Sequence, residues 1–213
     1  REVETVPCAV TLDQIACVNY ELLSAEERDA IVRSHLFEHL SPLGMSEREP
    51  RSWIDGSHPP VRRLFELHLV KGAGMKACWG FSLDFVPHIS GGRVRWHRTD
   101  KAAMLDVIVE PKHLIQPTYI HGTSRLIDDL RKLLPEALNL ARASWHSGSS
   151  WQGLIDIIRE IRTGRTNCFG FDNYTQLPLA FAFLSAKLKD LKSAEREIDS
   201  YANRRGLEES EAA

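Results

Sequence analysis

Long apolar runs are missing from this chain. The longest, Leu177 to Leu184, is eight residues with a proline inside it, whereas a membrane-spanning helix needs about 20. An excess of one charge is missing as well. Against 29 Asp and Glu stand 27 Lys and Arg, for a formal net charge of −2 and a pI near 6.5. No global field therefore favours nucleic acid or an acidic membrane, and neither is expected as a partner. The cysteines are few: Cys8, Cys17, Cys78 and Cys168 are scattered without a C-x-x-C pair. In a chain of this size they read as buried thiols of a reducing compartment, which makes the cytoplasm the expected location. Cys168 has no histidine near it in sequence, so a thiol nucleophile has no support. There is no G-x-S-x-G and no phosphate-cradling glycine loop. The first residue is Arg1 rather than methionine, which leaves room for a lost N-terminal leader.

What is present is a strong alternation between Val61 and Glu110. From Met75 to Phe85 every odd position is apolar and most even ones are small or charged, a period of two that buries one face of a strand. Val61, Phe65, Leu67 and Leu69 share a side in the run before it. Val94 and Trp96 point in from the run after it, with Arg93, Arg95 and His97 out, and Leu105, Val107 and Val109 complete a fourth run. The intervening gaps suit hairpins rather than crossovers. The pattern predicts a four-stranded antiparallel meander with strands near 61–71, 74–86, 92–98 and 103–110 paired in sequential order, Trp79 and Trp96 in its core.

The flanks read as helix. Ser24 and Glu27 form a capping box ahead of a stripe of Val32, Leu36 and Leu40 with Phe37, ending before Pro42 and Gly44. Residues 1–22 read as irregular, and 46–60 as a loop with a short strand near Arg51 to Ile54. Beyond Thr123, taken as a cap, Leu126, Ile127, Leu130, Leu133 and Leu134 make a stripe that Pro135 kinks or divides. Trp151, Leu154, Ile155, Ile158 and Ile161 make the next, closed by Gly164. Thr166 to Asn173 is an aromatic-rich loop. Two last helices turning near Asp190 form a hairpin whose spacing of Ala180, Leu184, Ala186, Ala194 and Tyr201 resembles one tetratricopeptide unit. The prediction is a single α+β domain over 1–213: helix plus sheet in 1–122, a helical subregion in 123–205 and a frayed tail in 206–213.

Three constellations carry candidate chemistry. His35-Leu36-Phe37-Glu38-His39 has the H-x-x-E-H form of inverted zinc peptidases. Two imidazoles four apart share a helix face and Glu38 can activate a water, but a third ligand is needed, and Glu110 is the acidic residue at about the right remove. Glu110-Pro111-Lys112 echoes the acidic-x-Lys element of metal-dependent nucleases, with Asp84 or Asp106 as partner, though Asp190-Leu191-Lys192 matches the same pattern by accident. The polar face of the meander is the third. Register parity sets Asp84 beside Arg95 and Arg95 beside Asp106, flanked by Arg93 and His97. That row is either a solvated, salt-bridged face, each pair contributing roughly 0.2–1 kcal/mol, or a docking surface for another protein. Trp53, Trp145 and Trp151 lie near loops, where an indole either plugs an edge or anchors a partner.

Leu40-Ser41-Pro42-Leu43-Gly44-Met45, then Trp79-Gly80-Phe81-Ser82-Leu83-Asp84-Phe85-Val86-Pro87, then Gln176-Leu177-Pro178-Leu179-Ala180 and Ala186-Lys187-Leu188 follow one another in an order that resembles a bacterial α+β family of unknown function, some of whose members sit in toxin–immunity settings. The resemblance covers roughly residues 24–203 and carries over no catalytic residue. It implies a small cytosolic partner-binding protein. The expected function is therefore a non-enzymatic, immunity-type binding module without a cofactor, using Asp84, Arg93, Arg95, His97, Asp106, Trp145 and Trp151 toward another protein. The alternative is a zinc hydrolase on His35, Glu38, His39 and Glu110.

Overall fold

The computed structural model describes residues 23–71, 74–90, 93–111, 113–164 and 176–205. The irregular 1–22 segment, the 166–173 loop, the 206–213 tail, Lys112, Cys8, Cys17 and Cys168 lie outside the described residues.

Ser24 starts helix α1 (Ala25–Leu40) with both halves of the expected box. Its hydroxyl accepts from the Glu27 amide at 3.2 Å, and its own amide donates to Glu27 Oε2 at 3.0 Å. Val32, Leu36 and Leu40 are buried, while Phe37 remains 59% exposed and meets Trp53 edge-on. A short 3-10 turn at Ser41–Leu43 ends at Gly44, whose φ of 75° is the left-handed geometry glycine takes without cost. The short strand expected near Arg51 to Ile54 is β2 (Ser52–Asp55), and the polar stretch before it, read as loop, is a second strand, β1 (Ser46–Glu49), paired with it as a hairpin.

These two strands extend the meander at its front. The main sheet has five antiparallel strands in the order β1-β2-β3-β4-β7, with β3 Val61–Val70, β4 Gly74–Leu83 and β7 Val107–Val109. The β3–β4 pairing runs unbroken from Val61↔Leu83 to Val70↔Gly74. The 92–98 run does not join it. β5 (Pro87–Ser90) and β6 (Arg93–Trp96) pair only with each other as a separate ribbon, and β7 takes the place beside β4 through Trp79↔Val109, Gly80↔Ile108 and Phe81↔Val107. Gly80 shows why. A Cβ there would sit 1.8 Å from the Val107 carbonyl oxygen, so β7 approaches β4 at a distance only glycine permits.

One face of the sheet carries Trp53, Phe65, Leu67, Met75, Ala77, Trp79, Phe81, Leu83 and Val107, all buried in a cluster shared with the helices. Trp79 is central to it. Its ring stacks parallel to Phe65 at 6.3 Å, and its indole nitrogen donates to Ser144 at 3.0 Å. Over this face lie α1 and α2 (Gly122–Ser147), then α3 (Trp151–Gly164) and α4 (Leu177–Lys187). Leu126, Leu130, Leu133 and Leu134 are fully buried. The helix begins at Gly122 and not behind a Thr123 cap, and it runs through Pro135 as one helix. α4 and α5 (Leu191–Arg205) form the expected hairpin, with Ala180, Leu184, Ala194 and Tyr201 buried and Ala186 exposed. Among the described residues no helix is long and apolar enough to cross a membrane.

Leu130→Ala should cost about 2–5 kcal/mol in urea unfolding, since the methylenes removed leave a cavity under a helix that cannot collapse onto the sheet. Gly80→Ala should destabilise by more than about 2 kcal/mol or abolish folding, because the obstacle is backbone and not a side chain that can turn away. A Gly80→Ala protein with wild-type stability would show that β7 is free to move off β4.

Candidate functional site

The face of the sheet away from the helices is where polar chemistry collects. Half of it is closed by the chain that returns from β6 to β7. A 3-10 turn at Asp100–Ala102 is capped by Thr99, and Ala103 and Leu105 cover Ile54 and Leu64 in a small second cluster. Arg62 is pinned beneath this segment, paired with the Asp84 carboxylate and with Asp100 at 2.7 Å, and donating to the Arg98 carbonyl at 2.9 Å.

The expected Asp84–Arg95–Asp106 row therefore does not form. Asp84 belongs to Arg62. Asp106 is 1% exposed and accepts from the Leu83 amide at 2.7 Å. His97 is buried, its ring 5.4 Å from that of His88, and burial holds its pKa below the ordinary histidine value. Trp145 is buried, while Trp151 is half-buried and edge-on to Phe85 at 5.5 Å. Only Arg93 and Arg95 of the predicted row face solvent, and they do so on the ribbon. The phase of β6 is reversed in its consequence. Val94 and Trp96, expected in the core, are 57% and 44% exposed, because no helix layer lies over a strand that has left the sheet. Arg98 stacks its guanidinium 4.6 Å over the Trp96 ring.

The H-x-x-E-H helix does not meet Glu110, its expected third ligand. α1 lies along the β1–β2 edge, held by Arg33–Glu47 at 2.7 Å and by Phe37 on Trp53. Glu110 follows β7 at the opposite edge and pairs with Lys76 at 2.8 Å. At ~4.8 Å per strand the separation is on the order of 15 Å. Neither ring nitrogen of His35 has a hydrogen-bond partner, and burial lowers its pKa, with the charge of Arg131 opposing protonation as well. Glu38 is exposed. A groove of about 950 Å³ between α2, α3 and the end of β7 has Trp79, Leu140 and Ile157 in its floor and Asp156 on its rim. Asp156 is engaged along its own helix, by Arg159 at 3.0 Å and Gln152 at 2.9 Å.

The open half of the polar face holds a group that no local sequence motif marks. Glu66, His68 and Cys78 bring a carboxylate oxygen, an imidazole nitrogen and a sulfur within 4.8 Å of one another, the one such group of three among the described residues. Glu66 stands directly across from Cys78 in the β3–β4 register, and His68 is two residues along on the same face. Glu66 Oε1 accepts from Ser52 Oγ at 2.9 Å and from Arg48 at 2.8 Å, while Oε2 lies 2.6 Å from His68 Nε2. Burial alone would raise the Glu66 carboxyl, but the hydrogen bonds from His68 and Ser52 and the charges of His68 and Arg48 hold it below its ordinary value. Burial, reinforced by Glu66 and Glu110, pushes the Cys78 thiol well up. A cavity of about 400 Å³ lined by Arg48, Ser52, Glu66 and His68 opens beside it.

No family model, no curated protein and no solved structure matched the chain in comparison with known proteins. The fold and these sites therefore rest on the chain's own residues, and what they define is an α+β protein with one helix-covered sheet face.

Asp106 supplies a test of the polar face. Burial raises its pKa from 3.8 to about 8, with the Leu83 amide acting the other way, and its Oδ1 has no partner. The folded protein thus keeps a proton that the unfolded chain releases above 3.8. The carboxyl costs nothing at low pH and progressively more as pH rises to about 8, beyond which the loss is constant. Asp106→Asn should remove this fall, so that its stability relative to wild type is greater near pH 8 than near pH 4 in urea unfolding. Equal pH profiles would show that Asp106 ionises freely in the folded state.

Proposed function

We propose that this chain is a non-enzymatic protein-binding module acting in the cytoplasm, of the immunity type, a setting in which some members of the bacterial family it resembles are found. The observation that carries the reading is the β5–β6 ribbon, in which every residue of Arg93-Val94-Arg95-Trp96 is exposed. A two-stranded ribbon is marginal in water by itself, and an exposed Trp beside an exposed Val is costly to keep on a surface without a use. Arg98 stacks on the indole, Arg93 and Arg95 are exposed on the same strand with the alternate phase, and Trp and Arg are the side chains that most often dominate a protein interface. The complement is an apolar pocket for Trp96 with an acidic rim for the arginines. The Cys78 thiol, free and buried, accords with a reducing compartment.

Trp96→Ala should weaken the complex by about 2 kcal/mol or more, roughly 30-fold, with little change in stability. Arg93→Glu should slow association and steepen its dependence on salt, since exposed charges act mainly on encounter rate. The measurement is capture of the partner from cells of the source organism on wild-type and variant protein, followed by binding kinetics on the purified pair. Undiminished capture by both variants would move the site off the ribbon. Capture that disappears after nuclease treatment would replace the protein partner with nucleic acid and overturn the reading.

A further inference from the structure

We propose that Glu66, His68 and Cys78 form a binding site for a thiophilic divalent cation, with Zn²⁺ the best chemical match. The placement is built into the backbone. β3 and β4 pair without a bulge, so Glu66 is held opposite Cys78 and His68 beside Lys76. No loop rearrangement is needed to bring three unlike donors onto one patch of sheet.

Their present distances leave room for an ion after small side-chain rotations. Tetrahedral zinc, with bonds of about 2.3 Å to sulfur and 2.0–2.1 Å to nitrogen or oxygen, sets its donors about 3.3–3.6 Å apart. The three donor atoms already lie within 4.8 Å of one another. Glu66 Oε2 and His68 Nε2, now 2.6 Å apart across a shared proton, open slightly to admit the ion between them and above Cys78 Sγ. The supporting bonds remain. Ser52 and Arg48 grip Glu66 through Oε1 and leave Oε2 for the metal, which is the arrangement that orients a ligating carboxylate. The cavity lined by Glu66 and His68 gives solvent access to these two donors, and a water completes the tetrahedral set.

The donor set selects the ion. One sulfur, one imidazole and one carboxylate suit Zn²⁺ or Co²⁺, whereas Ca²⁺ and Mg²⁺ require oxygen donors. The three cations nearby all have acidic partners, Arg48 in Glu66, Arg51 in Asp29 at 3.5 Å and Lys76 in Glu110 at 2.8 Å. A metal ion deprotonates a thiol that coordinates it. Binding through Nε2 uses the His68 tautomer that carries its proton on Nδ1, and it releases the Cys78 proton to solvent, with no oxidant or reductant taking part.

The test uses Co²⁺ as the probe, because a cobalt–thiolate bond gives a charge-transfer absorption that neither free cobalt nor a histidine–carboxylate site shows. Cys8, Cys17 and Cys168 are changed to serine so that Cys78 is the sole thiol. One equivalent of Co²⁺ should produce the band, and Zn²⁺ should displace it. His68→Ala, at a side chain exposed enough to leave the fold intact, should weaken binding at least tenfold, while the His35→Ala/His39→Ala double variant should bind as before. If the triple-serine protein does not fold, the same titration on the wild-type chain with and without His68→Ala gives the answer. No band at millimolar cobalt, affinity unchanged in His68→Ala, or loss of binding in the His35/His39 variant would each overturn the proposal.

Discussion

Much of this molecule depends on how closely the main chain at Val107 approaches Gly80. Any side chain at position 80 would collide with the Val107 carbonyl, so the bare backbone of β4 on that side is what admits β7 as its neighbour. With β7 in that place, β6 is not a neighbour of β4, and it pairs with β5 instead. The chain from β6 back to β7 must then cross the polar face. In crossing, it packs Ala103 and Leu105 on Ile54 and Leu64, sets Asp100 against Arg62, and carries Asp106 into a buried position behind Leu83. A single close approach thus decides which strand is inside, which is exposed and which half of the sheet is covered.

The helical layer is organised around β4 from the other side. Trp79 stacks on Phe65 within the sheet and gives its indole hydrogen to Ser144 of α2, so the polar atom of this buried side chain is satisfied by the helix that covers it. The end of α2 is equally tight. A side chain at Gly148 would meet the Phe81 ring at 2.2 Å, and this closeness lets α3 begin directly over the sheet. Burial along nearly all of β4 makes it the strand least free to open, and the exposed ribbon is a separate sheet.

Two chemically different surfaces result. The ribbon offers an indole, a valine and three arginines, a combination suited to a partner with an apolar pocket and acidic surroundings. The open part of the sheet offers three donors of graded softness held by a rigid hairpin, a combination suited to a metal ion. Neither uses the H-x-x-E-H helix, whose histidines lie by the sheet edge opposite Glu110. That motif is a property of four-residue spacing, which any amphipathic helix with two histidines can produce.

What the sequence by itself determined is what local spacing can encode. The capping box at Ser24, the stripe through Leu126 and Leu134, the α4–α5 hairpin and the long alternation of β3 and β4 are set by neighbours within a few residues, and the structure has them. The Glu66–Cys78 pairing was legible in principle too, because only three residues separate Val70 from Gly74 and strands so closely joined pair with these two opposite each other. What only the tertiary structure decided is strand order and burial at the second half of the sheet. Alternation says which residues share a side of a strand and nothing about which strand lies next to it, so β6 and β7 were interchangeable on pattern alone. The deciding factor was a steric one, the space left by Gly80, and it exists only once two distant segments meet. The exposure of Trp96 and the burial of Asp106 and His97 follow from that choice.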